Sequence, residues 1–360
     1  TIGPNSGTQA TAYFNTVLYS GNGASTQNVT GVGFKPDWTW IKERSSTSGH
    51  VLADSNRGYD KFSSPNENFD ESTGVLNSAL SDGFQTTNSG ATNESSQTYV
   101  SWNWQVNGGT TSTLTGGDID TVVQANTTAG FSIATFDSNG NTSQTLAHGL
   151  SVAPDLAIYK DREEANAFYH YYRILGANKF LMWGAGSLGV GLAETSTSIF
   201  ANTNPTSTVA TFDFSGTSMD SGHGVVAYFF HSVEGYSKFG KYLGNAADDG
   251  AFVFLGFKPA WVMIKCADAT GNFTSWTIYD NKRKTFNDDI GDNSNPLYAN
   301  KNAKEGERGN GTTDISGNAN AIDFLSNGFK LRDNADEINA TNTFVYMAFA
   351  EAPFKYANAE

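Results

Sequence analysis

The chain is written as three copies of one pattern, and that repetition limits its folds more than any other feature. The first copy opens on Phe14-Asn-Thr-Val-Leu-Tyr19 and continues to Gly33-Phe-Lys-Pro36-Asp-Trp38-Thr-Trp40-Ile-Lys42. The second opens on Phe131-Ser-Ile-Ala-Thr-Phe136 and continues to Pro154-Asp-Leu156-Ala-Ile-Tyr-Lys160. The third opens on Phe239-Gly-Lys-Tyr242 and continues to Gly256-Phe-Lys-Pro259-Ala-Trp261-Val-Met-Ile-Lys265. The prolines are 118 and 105 residues apart, too long for a solenoid unit and right for a whole small domain. Each copy closes on a run whose alternate residues are apolar: Val100, Trp102, Trp104; Val226, Tyr228, Phe230; Val345, Met347, Phe349. Such alternation is the signature of a half-buried strand.

Further strand-like runs lie at 50–54, 168–172 and 276–280, separated by Gly, Asn, Ser and Asp clusters that read as turns. Residues 160–168 are decent helix formers, yet the corresponding 44–49 and 267–272 are turn-like, so this stretch reads as a loop. Aromatic residues make up 13% and charged residues 16%, with 38 glycines, which suits a β-rich chain and not a disordered one. The expected fold is all-β: tandem antiparallel β-sandwiches, concanavalin-like or jelly-roll-like. The repeats span 1–106, 118–233 and 234–360, with a Gly/Thr-rich linker at 107–117 and only 232–235 between the last two.

A net charge of −14 repels phosphate backbones and anionic lipid, so no nucleic-acid partner is expected. No run approaches the ~20 apolar residues of a membrane span, so no membrane insertion is expected. The single Cys266 allows neither an intramolecular disulfide nor a cysteine zinc site. Thr1 in place of an initiating Met is what a processed product or a fragment would show.

The chain resembles repeat-containing virion structural proteins of marine tailed phages, cyanophages among them, whose shared domain has no assigned function. The resemblance covers residues 13–356. It rests on Gly33 to Lys42, Asp54-Ser-Asn-Arg-Gly58, Ser81-Asp-Gly-Phe84, Tyr99-Val-Ser-Trp-Asn-Trp104, Val233-Glu-Gly-Tyr-Ser-Lys-Phe-Gly240 and Tyr346-Met-Ala-Phe-Ala-Glu-Ala-Pro-Phe354. It implies a tail-fibre or other appendage protein on the exterior surface or tail of a virion. It also implies a homo-oligomer, most naturally a trimer, among other virion proteins, and brings no catalytic residue set. The second copy departs by having Leu156 and Tyr159 in place of Trp and Ile, and by lacking the Asp-x-x-Arg element.

That element, Asp54 with Arg57 and Asp280 with Arg283, is read as a structural pair joining a strand end to its loop by charge-assisted hydrogen bonds. His50, His148, His170, His223 and His231 lack metal-site spacing. No Gly-x-Ser-x-Gly elbow or phosphate-binding loop occurs, and Gly184-x-Gly186 and Gly189-x-Gly191 read as flexible turns. Glycosidases need paired carboxylates; the nearest match, Asp161 with Glu163, is not repeated. No cofactor is expected, the alternative being calcium at Asp137-x-Asn139-Gly-Asn141, Asp248-Asp249 or Asp288-Asp289-x-x-Asp292, where loop oxygens are dense. Sequons at Asn28, Asn93, Asn126, Asn141, Asn272, Asn310 and Asn339 are what an Asn/Ser/Thr-rich chain shows by chance.

Trp38, Trp40, Trp102 and Trp104 share strand faces that should pack between sheets. Tyr169, Tyr171 and Trp183 are left as candidate contact residues, since Phe168, His170 and Tyr172 would already fill a core face. The expected function is therefore a non-enzymatic virion protein binding a host-surface glycan or neighbouring virion subunits. A ligand-free capsid decoration or fibre shaft is the first alternative, and a polysaccharide-degrading enzyme the second.

Overall fold

The computed structural model describes residues 13–185, 193–215, 217, 219–269, 274–284, 287, 296–307 and 322–351. Every regular element among them is a β-strand and every pairing of named strands is antiparallel. The fold is all-β and sandwich-like.

Each repeat contributes one large and one small sheet. In repeat one the large sheet sets Phe14–Ser20, Thr98–Trp104, Trp38–Glu43, Val51–Asp54, Lys61–Ser63 and Ser72–Thr73 side by side. Repeat two follows the same order with Phe131–Asp137, Gly224–Phe230, Leu156–Asp161, Phe168–Tyr172 and Lys179–Trp183, and repeat three with Ser237–Leu243, Thr343–Ala350, Pro259–Cys266, Thr277–Asp280 and Leu297–Tyr298. The small sheets are Thr26–Thr30, Gly83–Thr87 and Leu76–Leu80; Gln144–Ala147 with Val209–Phe212; and Phe252–Phe254, Gly328–Leu331 and Ile322–Leu325.

The registers coincide, with Trp38 opposite Trp104, Leu156 opposite Phe230 and Trp261 opposite Phe349. Pro36, Pro154 and Pro259 each stand two residues ahead of that pair, at or just before the start of the strand, where the fixed φ and missing donor do no harm. The N–H groups of Ser55, Arg173 and Asn281 donate to the carbonyls of Asp37, Asp155 and Ala260 in turn. One alignment shifts: Ser237, and not Phe239, occupies the register of Phe14 and Phe131, because Ser237 is the residue paired with Phe349. A slip of two residues keeps Phe239 on the same face.

The large sheets are buried on both sides. Their inner rows, Trp38 with Trp104 and Trp40 with Trp102 and their counterparts, form one cluster that holds all seven tryptophans of the chain. Ring contacts tie each repeat to both others: Trp38 to Tyr228 at 5.0 Å, Trp261 to Trp104 at 5.8 Å and Phe230 to Phe239 at 5.6 Å between centroids. The opposite faces pack on the small sheets, for example Ile41, Val51 and Tyr99 on Val29, Leu76 and Phe84. In repeat two, Ala157, Tyr159 and Phe229 pack on Leu146 and Phe212. Three sandwiches thus surround one core as a quasi-threefold ring, and the tryptophans fill the space between repeats instead of the inside of one sandwich.

The stretch 107–117 is no free spacer. Ser112–Leu114 pairs with Thr121–Asn126, extending the large sheet of repeat two. The Asp37 carboxylate accepts the N–H groups of Val106 at 2.7 Å and Gly108 at 2.8 Å. An extended Ser/Thr/Leu segment beside an open sheet edge satisfies its backbone by joining it.

Because the core is common, the three repeats should unfold in one calorimetric transition. Trp261→Ala is expected to remove about 3–5 kcal/mol and to lower that single transition as a whole. Three separable transitions, with only one of them shifted, would show that the repeats are energetically independent.

Candidate functional site

The Asp-x-x-Arg elements fasten one repeat to the next. In repeat one, Asp54 Oδ1 accepts the N–H groups of Asn56 and Arg57 at 3.0 and 2.9 Å, which shapes the turn. Its Oδ2 takes Arg57 Nε at 2.5 Å and the hydroxyl of Tyr228, from repeat two, at 2.8 Å. Arg57 also reaches Glu71 at 3.1 Å, and Glu71 binds Arg162 of repeat two at 2.8 Å. Repeat three repeats this on repeat one: Asp280 Oδ2 takes Arg283 Nε at 2.6 Å and the indole N–H of Trp102 at 3.0 Å. Glu305, 3.9 Å from Arg283, pairs with Arg44. A backbone bond accompanies each network, Glu71 N–H to Arg162 O at 2.6 Å and Glu305 N–H to Arg44 O at 2.9 Å.

The junction between repeats two and three keeps the backbone bond, Ala193 N–H to Ala267 O at 2.7 Å, but among the described residues it has no such charges. Ala193 replaces the glutamate, Ala267 the arginine, Tyr172 the aspartate, and Met347 the hydrogen-bonding Tyr228 or Trp102. Trp276 fills the space, its N–H on Met182 O at 2.9 Å and its ring 4.9 Å from His170. The pair that sequence reading placed at a strand end bonds its own turn and also reaches the neighbouring repeat.

Burial alone would raise the Glu71 pKa, but the Arg162 hydrogen bonds and the Arg57 and Lys61 charges bring it below the usual carboxylate value. Burial works against the Arg57 charge too, and Asp54, Tyr228 and Glu71 outweigh it. A second set of buried charges, Lys42, Lys160 and Lys265, recurs in all three copies without an assigned role. Burial lowers them to about 8, 8 and 7. Their Nζ atoms donate at 2.6 to 2.7 Å to Glu43 O and Cys266 O, the last residues of their own strands, and to Glu164 O in the loop that follows.

The candidate contact residues are not an exposed group. Trp183 is fully buried, 5.1 Å from Trp40 and 4.2 Å from His170. Tyr171 is buried with its hydroxyl on Asn204 at 3.0 Å, and Tyr169 is half-buried beside Phe180 and Phe212. The reason is the doubly buried sheet: Tyr169 and Tyr171 face the sandwich interior while Phe168 and Tyr172 face the common core.

The histidines serve turns and junctions. His50 Nδ1 accepts the Trp40 indole N–H at 2.8 Å, so its Nε2–H donates to Tyr298 O of repeat three at 2.9 Å. His148 similarly accepts from Leu150 N and donates to Thr206 O, and burial lowers it to about 4. His170 lies between Trp183 and Trp276 with neither ring nitrogen hydrogen-bonded, and burial pushes its pKa well down. His223, raised by its hydrogen bond to the buried Asp161, lies with Glu164 and Asp220 in a solvent-facing group whose ligand atoms fall within 4.8 Å. Among the described residues these are the three side chains placed to share a cation.

Asp161 Oδ1 accepts the N–H groups of Glu163 and Glu164, and Glu163 accepts that of Gly224, so this pair builds a turn. Asn139 likewise caps the 137–141 turn, and Asp249 pairs with Lys330 at 2.7 Å. Asp288, Asp289, Asp292, Gly186, Gly189, Gly191, Asn272 and Asn310 lie outside the described residues.

One face differs between copies. On the edge strand of each small sheet the inward residue is apolar, Val29 or Val253. The outward neighbours are Asn28 and Thr30 in repeat one, where Gln85 bonds Asn28 at 2.7 Å. In repeat three they are Phe252 and Phe254, 45% and 58% exposed.

The chain belongs to the DUF7483 family, a domain of unknown function, which it matches over residues 9–353. The family unit thus spans all three repeats. No curated protein and no solved structure is significantly similar to it.

Two measurements check the junctions. Arg57→Met should cost about 3–5 kcal/mol, because Asp54 is left buried without its counter-charge. His170 is neutral in the fold while an unfolded histidine protonates near pH 6.5, so its burial removes stability as pH falls below about 6.5. His170→Leu, the residue that Leu52 supplies in repeat one, should flatten that loss in a denaturation series against pH. The Glu71 contribution is present above the ordinary carboxylate pKa and is lost at lower pH, as it falls through the depressed value. An unchanged acid slope in His170→Leu would contradict the assignment.

Proposed function

We propose that the protein is a non-enzymatic component of a phage virion, an appendage or fibre protein on the particle exterior that binds a host-surface glycan or neighbouring virion subunits. The observation that carries this reading is how the charged and aromatic residues are used. The buried Asp–Arg–Glu networks hold repeat to repeat, the tryptophans fill one core, and the outer aromatic face of repeat three is left to meet something else. A rigid body with specialised outer faces is what a particle component needs, since its contacts must be made without rearrangement. Its three repeats already stand around one axis as a trimer of small subunits would. Further copies would join through the outer faces, because Tyr171 and Trp183 are occupied within the chain.

The carboxylates support a binding role over hydrolysis. Asp161 and Glu163, the nearest to a glycosidase pair, accept backbone N–H groups in a turn, where a glycosidase would need them aimed across a cleft. Antibody labelling of phage particles, followed by density for the full chain, is expected to place the protein on the outer surface or tail. Incubation with host polysaccharide should release no reducing ends. Turnover that disappears on changing a single Asp or Glu would sink the non-enzymatic reading, and particles that lack the chain would sink the virion reading.

A further inference from the structure

The three repeats act as internal controls for one another, and the outer face of the small sheet in repeat three stands apart. Register places Phe252 opposite Lys330 and Phe254 opposite Gly328, where repeat one has Asn28 opposite Gln85 and Thr30 opposite Gly83. Repeat two has Thr145 and Ala147 at the corresponding positions. Two residues apart on one strand, the two phenylalanines leave the same face roughly 7 Å apart. A Cβ at Gly328 would come within 3.1 Å of Phe252 Cε2, so the edge of this ring reaches over Gly328. Phe254 projects further.

Charge around this face is uneven. Asp249 and Asp323 are already paired with Lys330 and Arg332. Lys238 sits 5.3 Å over the Phe254 ring with its Nζ on the carbonyl of Phe254 at 2.7 Å, and among the described residues it has no carboxylate partner. Asn15 holds this position in repeat one and donates to Val32 O at 3.0 Å. An ammonium without a carboxylate partner over the exposed Phe254 ring, two residues along the strand from the exposed Phe252 face, is a local positive site on an otherwise acidic molecule, and it complements an occupant that is anionic and has flat apolar faces.

We propose that the outer sheet of repeat three binds an anionic polysaccharide, its sugar rings stacking on Phe252 and Phe254 and its acidic groups meeting Lys238. This rests on the glycan-binding form of the function proposed above and names the kind of glycan. Pyranose rings offer C–H faces to aromatic rings, and an ammonium that keeps only a carbonyl partner loses little by turning to a carboxylate.

The test uses the full chain and a polyuronate, with dextran as the neutral polymer and polyglutamate as the acidic polymer without sugar rings. Three substitutions bring in what repeat one carries at the same places: Phe252→Asn, Phe254→Thr and Lys238→Asn. Repeat one shows that this sheet accepts them, and an unchanged melting temperature confirms it. The wild type is expected to bind polyuronate and not dextran, with affinity falling as salt rises. The Phe252→Asn/Phe254→Thr pair should bind about tenfold or more weakly, and Lys238→Asn should lose much of the salt dependence. Equal binding of polyglutamate, no binding of polyuronate, or full affinity in the phenylalanine pair would each overturn the proposal. Those outcomes are separate from the particle labelling: a chain found on the virion that ignores polyuronate keeps the virion role and loses this site.

Discussion

Everything in this molecule depends on large sheets that are buried on both faces. Each must cover one side with its own small sheet and the other with its two neighbours, so no repeat completes its core alone. Burial of a large aromatic side chain contributes on the order of 1.5–3 kcal/mol, and the seven tryptophans gathered in one cluster make separation of the repeats costly. The closed arrangement also protects these surfaces, which would otherwise be exposed aromatic patches prone to association.

The polar junctions are secondary to that core and make it specific. A buried ion pair adds little stability over an apolar contact of the same shape, but losing one partner is expensive. The junction between repeats two and three illustrates the point. There, Ala193, Ala267, Tyr172 and Met347 replace four members of the charged network together, and Trp276 takes the space. Either set works, whereas a mixture would leave an aspartate or an arginine buried and unpaired. The absence of Asp-x-x-Arg from repeat two is thus matched by changes on the repeat that receives it.

Repetition also separates scaffold from surface. Buried positions such as Lys42, Lys160 and Lys265 recur, each donating to a backbone carbonyl at or just beyond the end of its strand. Outer positions are free to diverge, as Asn28 and Phe252 do, because solvent accepts either. A position that is polar in one copy and aromatic in another is where a contact with another molecule can be gained without disturbing the fold.

The threefold repetition, the strand-rich character and the strand runs are local properties, set by residue type and spacing, and they are legible in the linear chain; the stretch 160–168, read as a loop, is one only over 162–167, because Lys160, Asp161 and Phe168 complete the strands on either side. A hint of the double burial is also there: Val225 to Phe230 is apolar without alternation, as strands covered on both faces are. Which repeat meets which, and hence that Tyr171 and Trp183 lie inside, is decided by contacts between residues more than a hundred positions apart, such as Asp54 with Tyr228 and Trp102 with Asp280. Local pattern carries no record of such partners, because alternation states only that a face is covered and not what covers it. The tertiary structure alone supplies the cover, and it does so by turning three sandwiches inward onto one core.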